Sequence, residues 1–170
     1  GNHDLIIDAQ GYTGGTVKLE QLSSMNGNIT VMGHDSSQTS DIGNITLSID
    51  QDNALDSAES VTLKAGGTLH IGDSTQHISN LVLEEGSSLL GNRLESITDP
   101  KASELHITID SINDIKGLVN VDTIHKYGSN TLELNNGVTS ATMGNLRYRA
   151  LYIEEGDVKL TATYSNVGSL

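Results

Sequence analysis

Four short stretches of the chain repeat one pattern: Val61-Thr62-Leu63-Lys64-Ala65-Gly66, Leu81-Val82-Leu83-Glu84-Glu85-Gly86, Leu132-Glu133-Leu134-Asn135-Asn136-Gly137 and Leu151-Tyr152-Ile153-Glu154-Glu155-Gly156. Each reads aliphatic, any residue, aliphatic, two further residues, glycine. Alternation of this kind buries one face and solvates the other, so each stretch is a short strand. The glycine ends the strand, at a corner that needs a positive φ or has no room for a Cβ. No helical segments separate the copies. Such a chain adds strands turn by turn, which makes it all-β and predicts a parallel β-solenoid.

The same aliphatic pairing extends in both directions. Leu5/Ile7 and Val17/Leu19 begin it; Ile29/Val31, Ile45/Leu47 and Val61/Leu63 follow at equal intervals; Leu81/Leu83, Leu105/Ile107, Val119/Val121, Leu132/Leu134 and Leu151/Ile153 continue it. One turn of a solenoid holds two or three strands, so some pairs share a turn. With roughly 20 residues per turn the chain makes about eight turns. At about 4.8 Å per turn the rod is about 40 Å long. Ile29, Val31, Ile45, Leu47, Val61, Leu63, Leu81, Leu83, Leu132, Leu134, Leu151 and Ile153 are expected to face one interior. Outward positions are mostly polar (Thr30, Thr46, Thr62, Lys64, Glu84, Glu133, Glu154), with Val82 and Tyr152 as exceptions. Asp52 to Glu59 reads as a turn of helix or a corner loop. Asp110 to Val121 fits two strands broken near Lys116-Gly117 better than a short helix. Looser loops are expected at 34–40 and 92–103, the second holding Pro100.

Composition agrees with a thin core. The 170 residues include no Phe and no Trp, and stacked Val, Ile and Leu fill a narrow interior without them. A net charge of −13 argues against nucleic acid and anionic membrane surfaces as partners, and it blunts exposed β edges. The absence of cysteine excludes disulfides and thiolate metal sites. The sequence contains no apolar run long enough to span a bilayer and no signal-peptide pattern. It reads as one domain, residues 1–170, a slice of a longer repetitive protein.

Several elements carry a family likeness. Asn53-Ala54-Leu55, Val61 to Leu69 and Gln76-His77-Ile78-Ser79-Asn80-Leu81 resemble the passenger repeats of bacterial type V autotransporters. Tyr12-Thr13-Gly14-Gly15-Thr16-Val17 resembles a recurrent element of the same repeats. Gly128 to Asn136, followed by Leu151 to Leu160, resembles the strand repeat near the C-terminal end of such passengers. The resemblance implies a right-handed parallel β-helix, exported through its own outer-membrane β-barrel translocator. It implies a location at the bacterial cell surface or outer membrane, or release as a secreted protein. The expected role is non-catalytic support of adhesion and virulence, as a monomer, toward a host or bacterial surface protein or glycan. Within it, residues 118–170 are expected to act as a C-terminal folding seed, the autochaperone of the passenger. The alternative is a β-helix protein that binds or degrades polysaccharide, such as a lyase or phage tailspike; a carboxylate cluster on one stacked face points that way.

Motifs that carry chemistry are weak. Gly72-Asp73-Ser74-Thr75 is close to the nucleophile motif of the family's serine proteases, but Thr75 replaces a required glycine, and a solvated turn is the better reading. His3, His34, His70, His77, His106 and His125 have no zinc-ligand spacing; His70, Asp73 and His77 converge only if the corner folds back. Asp50 to Asp56 begins like a calcium loop, but Leu55 stands where the glycine is needed and Val61 where the last glutamate is. Glu84-Glu85 and Glu154-Glu155 are consecutive, so in a strand they point to opposite faces rather than forming an acid–base pair. No catalytic residue, metal site or cofactor is expected. Arg147, Tyr148, Arg149 and Tyr152 concentrate Arg and Tyr in an acidic chain, a composition typical of binding hot spots, and are the candidate binding residues. If Leu151 and Ile153 point inward, parity sends Arg147 and Arg149 inward as well. Unpaired buried arginine is costly, so a corner or bulge near Ala150 is expected to reset the alternation.

Overall fold

The computed structural model describes residues 3–20, 26–33, 42–95, 98, 101–109, 115–136 and 146–162; for 132–136 and 158–162 the backbone alone is described. The expected loop at 34–40, Pro100, Gly137 and the whole 110–114 stretch lie outside these residues.

The described chain is all strand and turn. Sheet A stacks β1 (Leu5–Asp8), β3 (Asn28–Met32), β5 (Ser60–Leu63) and β8 (Leu81–Leu83). Sheet B stacks β2 (Thr13–Leu19), β4 (Asn44–Ile49), β6 (Gly67–His70), β9 (Ser88–Leu90), β11 (Leu118–Asn120) and β14 (Leu146–Arg147). Sheet C stacks β7 (Thr75–Ile78), β10 (Glu104–Thr108), β12 (Thr123–Tyr127) and β15 (Ala150–Ile153), and β13 (Leu132–Asn136) pairs with β16 (Val158–Ala162). Every strand pair is parallel. Consecutive strands belong to different sheets, and each pairs with the strand one level on. The parallel bridge between Leu83 and Ile115 carries sheet A one level further, where the strand reading of that stretch places it.

The core is a set of aliphatic rows running across the levels. In sheet B, Val17, Leu47, Leu69, Leu89, Val119 and Leu146 lie in register. In sheet A, Ile7, Val31, Leu63 and Leu83 do the same. All of these are buried except Val17, on the first strand of sheet B, which is 37% exposed. Each aliphatic side chain is covered from both neighbouring levels, which removes its area from water at about 25 cal/mol per Å². The corners follow the glycine pattern. Gly66, Gly86 and Gly156 all have positive φ, the backbone that ends the repeated motif.

Some of the aliphatic pairs share a turn, as expected: Ile29 and Val61 are register partners in sheet A, whereas Ile45, between them in sequence, lies in sheet B. Two expectations change. The tallest sheet among the described residues has six strands, about 24 Å at about 4.8 Å spacing, against the expected eight turns. Ile153 occupies an inward position opposite Lys126 but is 42% exposed, because β15 is the last strand of sheet C and no described level covers it. Leu151 and Ile45 are half-buried against the core, as expected of interior positions near an end or a corner. Asp52 to Glu59 forms turns rather than helix, apart from the strand approach at its end.

The interior of sheet C also holds two polar side chains. Gln76 is fully buried; its Oε1 accepts from Leu55 N at 3.2 Å, and its Nε2 donates to Gln51 O at 2.6 Å and to Ser74 Oγ at 2.8 Å. It thereby clasps the 51–58 turn, which stands where a strand is missing beyond β7. Lys126 is 0% exposed, and its Nζ donates to Gly128 O at 2.7 Å and Glu155 O at 2.8 Å. It satisfies carbonyls at the corner where the last two levels of sheet C end.

Candidate functional site: a histidine ladder on sheet C

The outward face of sheet C differs from its sequence reading. Parallel register places His77, His106, His125 and Tyr152 in one row across four levels. Their rings stack: His77 on His106 at 4.2 Å, His106 on His125 at 4.1 Å with planes 3° apart, and His125 on Tyr152 at 4.7 Å. A parallel ladder repeats each outward position about 4.8 Å along the axis, which is the distance at which flat rings tilt slightly into contact.

Carboxylates and a phenol flank the row. Glu104 Oε1 lies 2.7 Å from His106 Nε2 and 3.0 Å from His125 Nε2. Glu154 Oε1 lies 2.6 Å from His125 Nδ1, and Tyr127 Oη lies 3.2 Å from His106 Nδ1. At the top, His77 Nδ1 is 3.1 Å from Asn53 Oδ1 and 3.4 Å from Asp56 Oδ1. Burial among its neighbours holds the pKa of His106 below the ordinary imidazole value, with the Glu104 bond pulling the other way. The neutral ring then donates from Nε2 to Glu104 and accepts the Tyr127 hydroxyl at Nδ1. His125 faces a carboxylate at each nitrogen, and carboxylates only accept, so both bonds form together only when both nitrogens carry hydrogen.

Beside the ladder, Asp122 ties three segments together. Its side chain is 3% exposed and receives Arg149 Nη2 at 2.8 Å, Arg149 Nε at 3.0 Å, Leu94 N at 3.0 Å and Thr123 Oγ1 at 3.0 Å. The Arg149 guanidinium holds the Asp122 carboxyl below the usual carboxylate range, and Asp122 in turn raises Arg149. Between this pair and Lys101 runs a cleft of about 270 Å³, whose wall includes Thr75, Glu104 and Thr123. Lys101 Nζ binds both oxygens of Asp52, at 2.6 and 2.7 Å, and lowers that carboxyl also.

The candidate binding residues therefore separate. Tyr152 ends the ring stack and is 52% exposed. Arg149 is spent on Asp122, Tyr148 packs against the core, and Arg147 is exposed on β14. The corner at Tyr148 and Arg149 resets the alternation: Arg149 N and Ala150 N both donate to Asp122 O. Ser74 is not in a solvated turn. It is buried, its hydroxyl donating to Ile71 O and accepting from Gln76. His70, Asp73 and His77 do not converge: His70 Nδ1 accepts from Gly72 N, and Asp73 accepts from Asn92. The acids of the calcium-like loop each take a different cationic partner or histidine: Lys18 for Asp50, Lys101 for Asp52, His77 for Asp56.

Sequence reasoning missed Glu104, His106, His125 and Tyr127 as a group. The signal for them was outward alternation in Glu104-Leu105-His106-Ile107 and Thr123-Ile124-His125-Lys126, which places an outward histidine in both strands. In comparisons with known proteins, no family model, curated protein or solved structure matches the chain.

Proposed function

We propose that this chain is a non-catalytic passenger segment of a surface-displayed type V autotransporter, a right-handed parallel β-helix that supports adhesion and virulence. The observation that carries the reading is the continuous parallel register: strands of successive levels pair in three sheets around aliphatic rows, with positive-φ glycines at the corners. A rod of this kind grows by nearest-neighbour stacking, so each folded level templates the next. That property suits a chain that crosses an outer membrane unfolded and without cysteines. Residues 118–170 serve as the folding seed. Lys126 and the Asp122–Arg149 pair support this role, since each fastens adjacent levels within that segment. Partners are a host or bacterial surface protein or glycan, approached at the outer rows, with Arg147, Arg149 and Tyr152 the exposed members of the candidate set, Arg149 being paired with Asp122.

The test is display. Joined ahead of an autotransporter β-barrel in a Gram-negative host, the chain is expected at the cell surface as a protease-resistant rod. A version lacking 118–170 is expected to reach the surface in a protease-sensitive form. Retention of the intact chain in the periplasm, or a parent reading frame with no barrel domain, overturns the passenger reading. One observation favours the polysaccharide alternative: Glu104 and Glu154 stand on one stacked face with an exposed tyrosine ring. Both carboxylates are engaged by imidazole nitrogens, which makes them poor candidates for a free acid–base pair. Cleavage of a polysaccharide by the chain, abolished in Glu104→Gln, decides for that alternative.

A further inference from the structure

The display reading makes no use of the groups at the centre of the ladder. Two histidines from adjacent strands, β10 and β12, turn the same ring atom, Nε2, toward one carboxylate oxygen, Glu104 Oε1. The three ligand atoms lie within 4.8 Å of one another. The opposite nitrogen of each ring is held from outside the cluster, His106 Nδ1 by the Tyr127 hydroxyl and His125 Nδ1 by the Glu154 carboxylate. Metal-bound histidines are usually fixed in this way, with the second nitrogen bonded to a carboxylate, carbonyl or hydroxyl that sets the ring's orientation.

We propose that Glu104, His106 and His125 form a binding site for a divalent transition-metal ion, with Tyr127 and Glu154 as positioning residues. Two imidazole nitrogens and one carboxylate oxygen suit Zn²⁺, Cu²⁺ or Ni²⁺; Ca²⁺ and Mg²⁺ prefer an all-oxygen shell. The three protein ligands leave a coordination position for water on the solvent side, because Glu104 is partly open while both histidines are mostly covered. His77 is outside the set, its Nδ1 directed to Asn53 and Asp56.

Binding has a structural consequence. The rings of His106 and His125 are 4.1 Å apart and nearly parallel, so their in-plane lone pairs run side by side. A shared ion requires the rings to tilt toward each other, which opens the stack and displaces the protons that join both Nε2 atoms to Glu104. The site is thus assembled in ligand identity and orientation but closed by a local rotation, and binding is read at the ring nitrogens themselves.

The experiment is titration of the full chain with ZnCl₂ and CuCl₂, followed by calorimetry, by ¹⁵N detection of the imidazole nitrogens, and by electron paramagnetic resonance of the Cu²⁺ form. The expected result is one ion per chain. Zn²⁺ shifts the Nε2 signals of His106 and His125 and leaves His70 unchanged, and Cu²⁺ shows coupling to two nitrogens. His106→Ala, His125→Ala and Glu104→Gln each weaken binding more than about tenfold, and Glu154→Gln by about tenfold. His70→Ala leaves binding unchanged. The nitrogen spectra need no substitution, so they decide the matter even where a ladder variant folds poorly. No saturable binding, binding indifferent to the ligand variants (an adventitious ion only), or Zn²⁺ shifts spread over all histidines would each overturn the site. None of these readouts depends on surface display.

Discussion

Sheets A and C enclose the same interior but solve it differently. Inward positions of sheet A are aliphatic at every level, and its neighbouring strands cover one another in register. Sheet C has aliphatic inward residues in the middle, Leu105, Ile107 and Ile124, but Gln76 at one end and Lys126 near the other. The difference follows from what lies next along the axis. Sheet A meets strands, whose backbone groups are paired by the ladder. Sheet C meets a turn at 51–58 and a corner at Gly128 and Glu155, whose backbone groups need a side chain. Outside, sheet A presents Thr30, Thr62 and Val82, and sheet C presents stacked rings. One face is repetitive filling; the other carries the specific contacts.

The sharpest way to break this contrast is to place a charge in sheet A. Leu83 is buried, in register with Leu63 on one side and bridged to Ile115 on the other. Leu83→Asp buries a carboxylate without a partner and should abolish cooperative folding. Leu83→Ala leaves a cavity and should cost about 2–5 kcal/mol. Urea unfolding followed by circular dichroism measures both. A stable Leu83→Asp variant would mean that the aliphatic rows are not the core.

Sheet C predicts a smaller and different response. Lys126→Ala removes the donor that serves Gly128 O and Glu155 O and should cost about 1–3 kcal/mol, the range for buried groups left unpaired. Lys126→Met restores the volume but not the bonds, so it should recover only part of the loss. Full recovery by Met would show that Lys126 matters for packing alone, and sheets A and C would then follow one rule.

How far these features were legible depends on how local they are. Strand, corner and buried side were written in Val61 to Gly66 and Leu81 to Gly86, because alternation and a positive-φ glycine are properties of a few consecutive residues. The ladder was not legible. His77, His106, His125 and Tyr152 recur at unequal intervals, since the corners and excursions between strands differ in length, and the register that aligns them is set by those corners. Lys126 was not legible either. Alternation with Ile124 places it inward, lysine ordinarily lies outward, and only the carbonyls of the next corner account for its burial. The Arg147–Arg149 parity conflict, by contrast, pointed to the corner that Asp122 fastens.

Acid should act on sheet C's border before it acts on sheet A. The folded-state pKa of Asp122 is lowered, chiefly by Arg149. Its stabilisation is therefore present above the unfolded value of about 3.9 and is lost as pH falls through the lower folded value. Stability at pH 7 should exceed that at pH 3, and the difference should shrink in Asp122→Asn, measured by urea unfolding at both pH values. An unchanged difference in that variant would assign the acid sensitivity to other carboxylates, Asp52 with Lys101 being the next candidate.

The smallest effect belongs to a corner of sheet A. Gly66 and Gly86 occupy the same place in the repeated motif, both at positive φ, yet they are not equivalent. A Cβ on Gly66 would meet Gly43 O at 2.0 Å, so the neighbouring backbone forbids it. A Cβ on Gly86 would meet only Ala65, at 3.5 Å, an ordinary contact. Gly86→Ala should then carry the left-handed backbone penalty alone, about 1–2 kcal/mol. Gly86→Asn should cost less, because asparagine adopts that conformation more readily. Thermal unfolding of the two variants measures the difference. Equal losses for Ala and Asn would trace the cost to crowding at Ala65 instead of to φ, and the corners of sheet A would prove as closely packed as its rows.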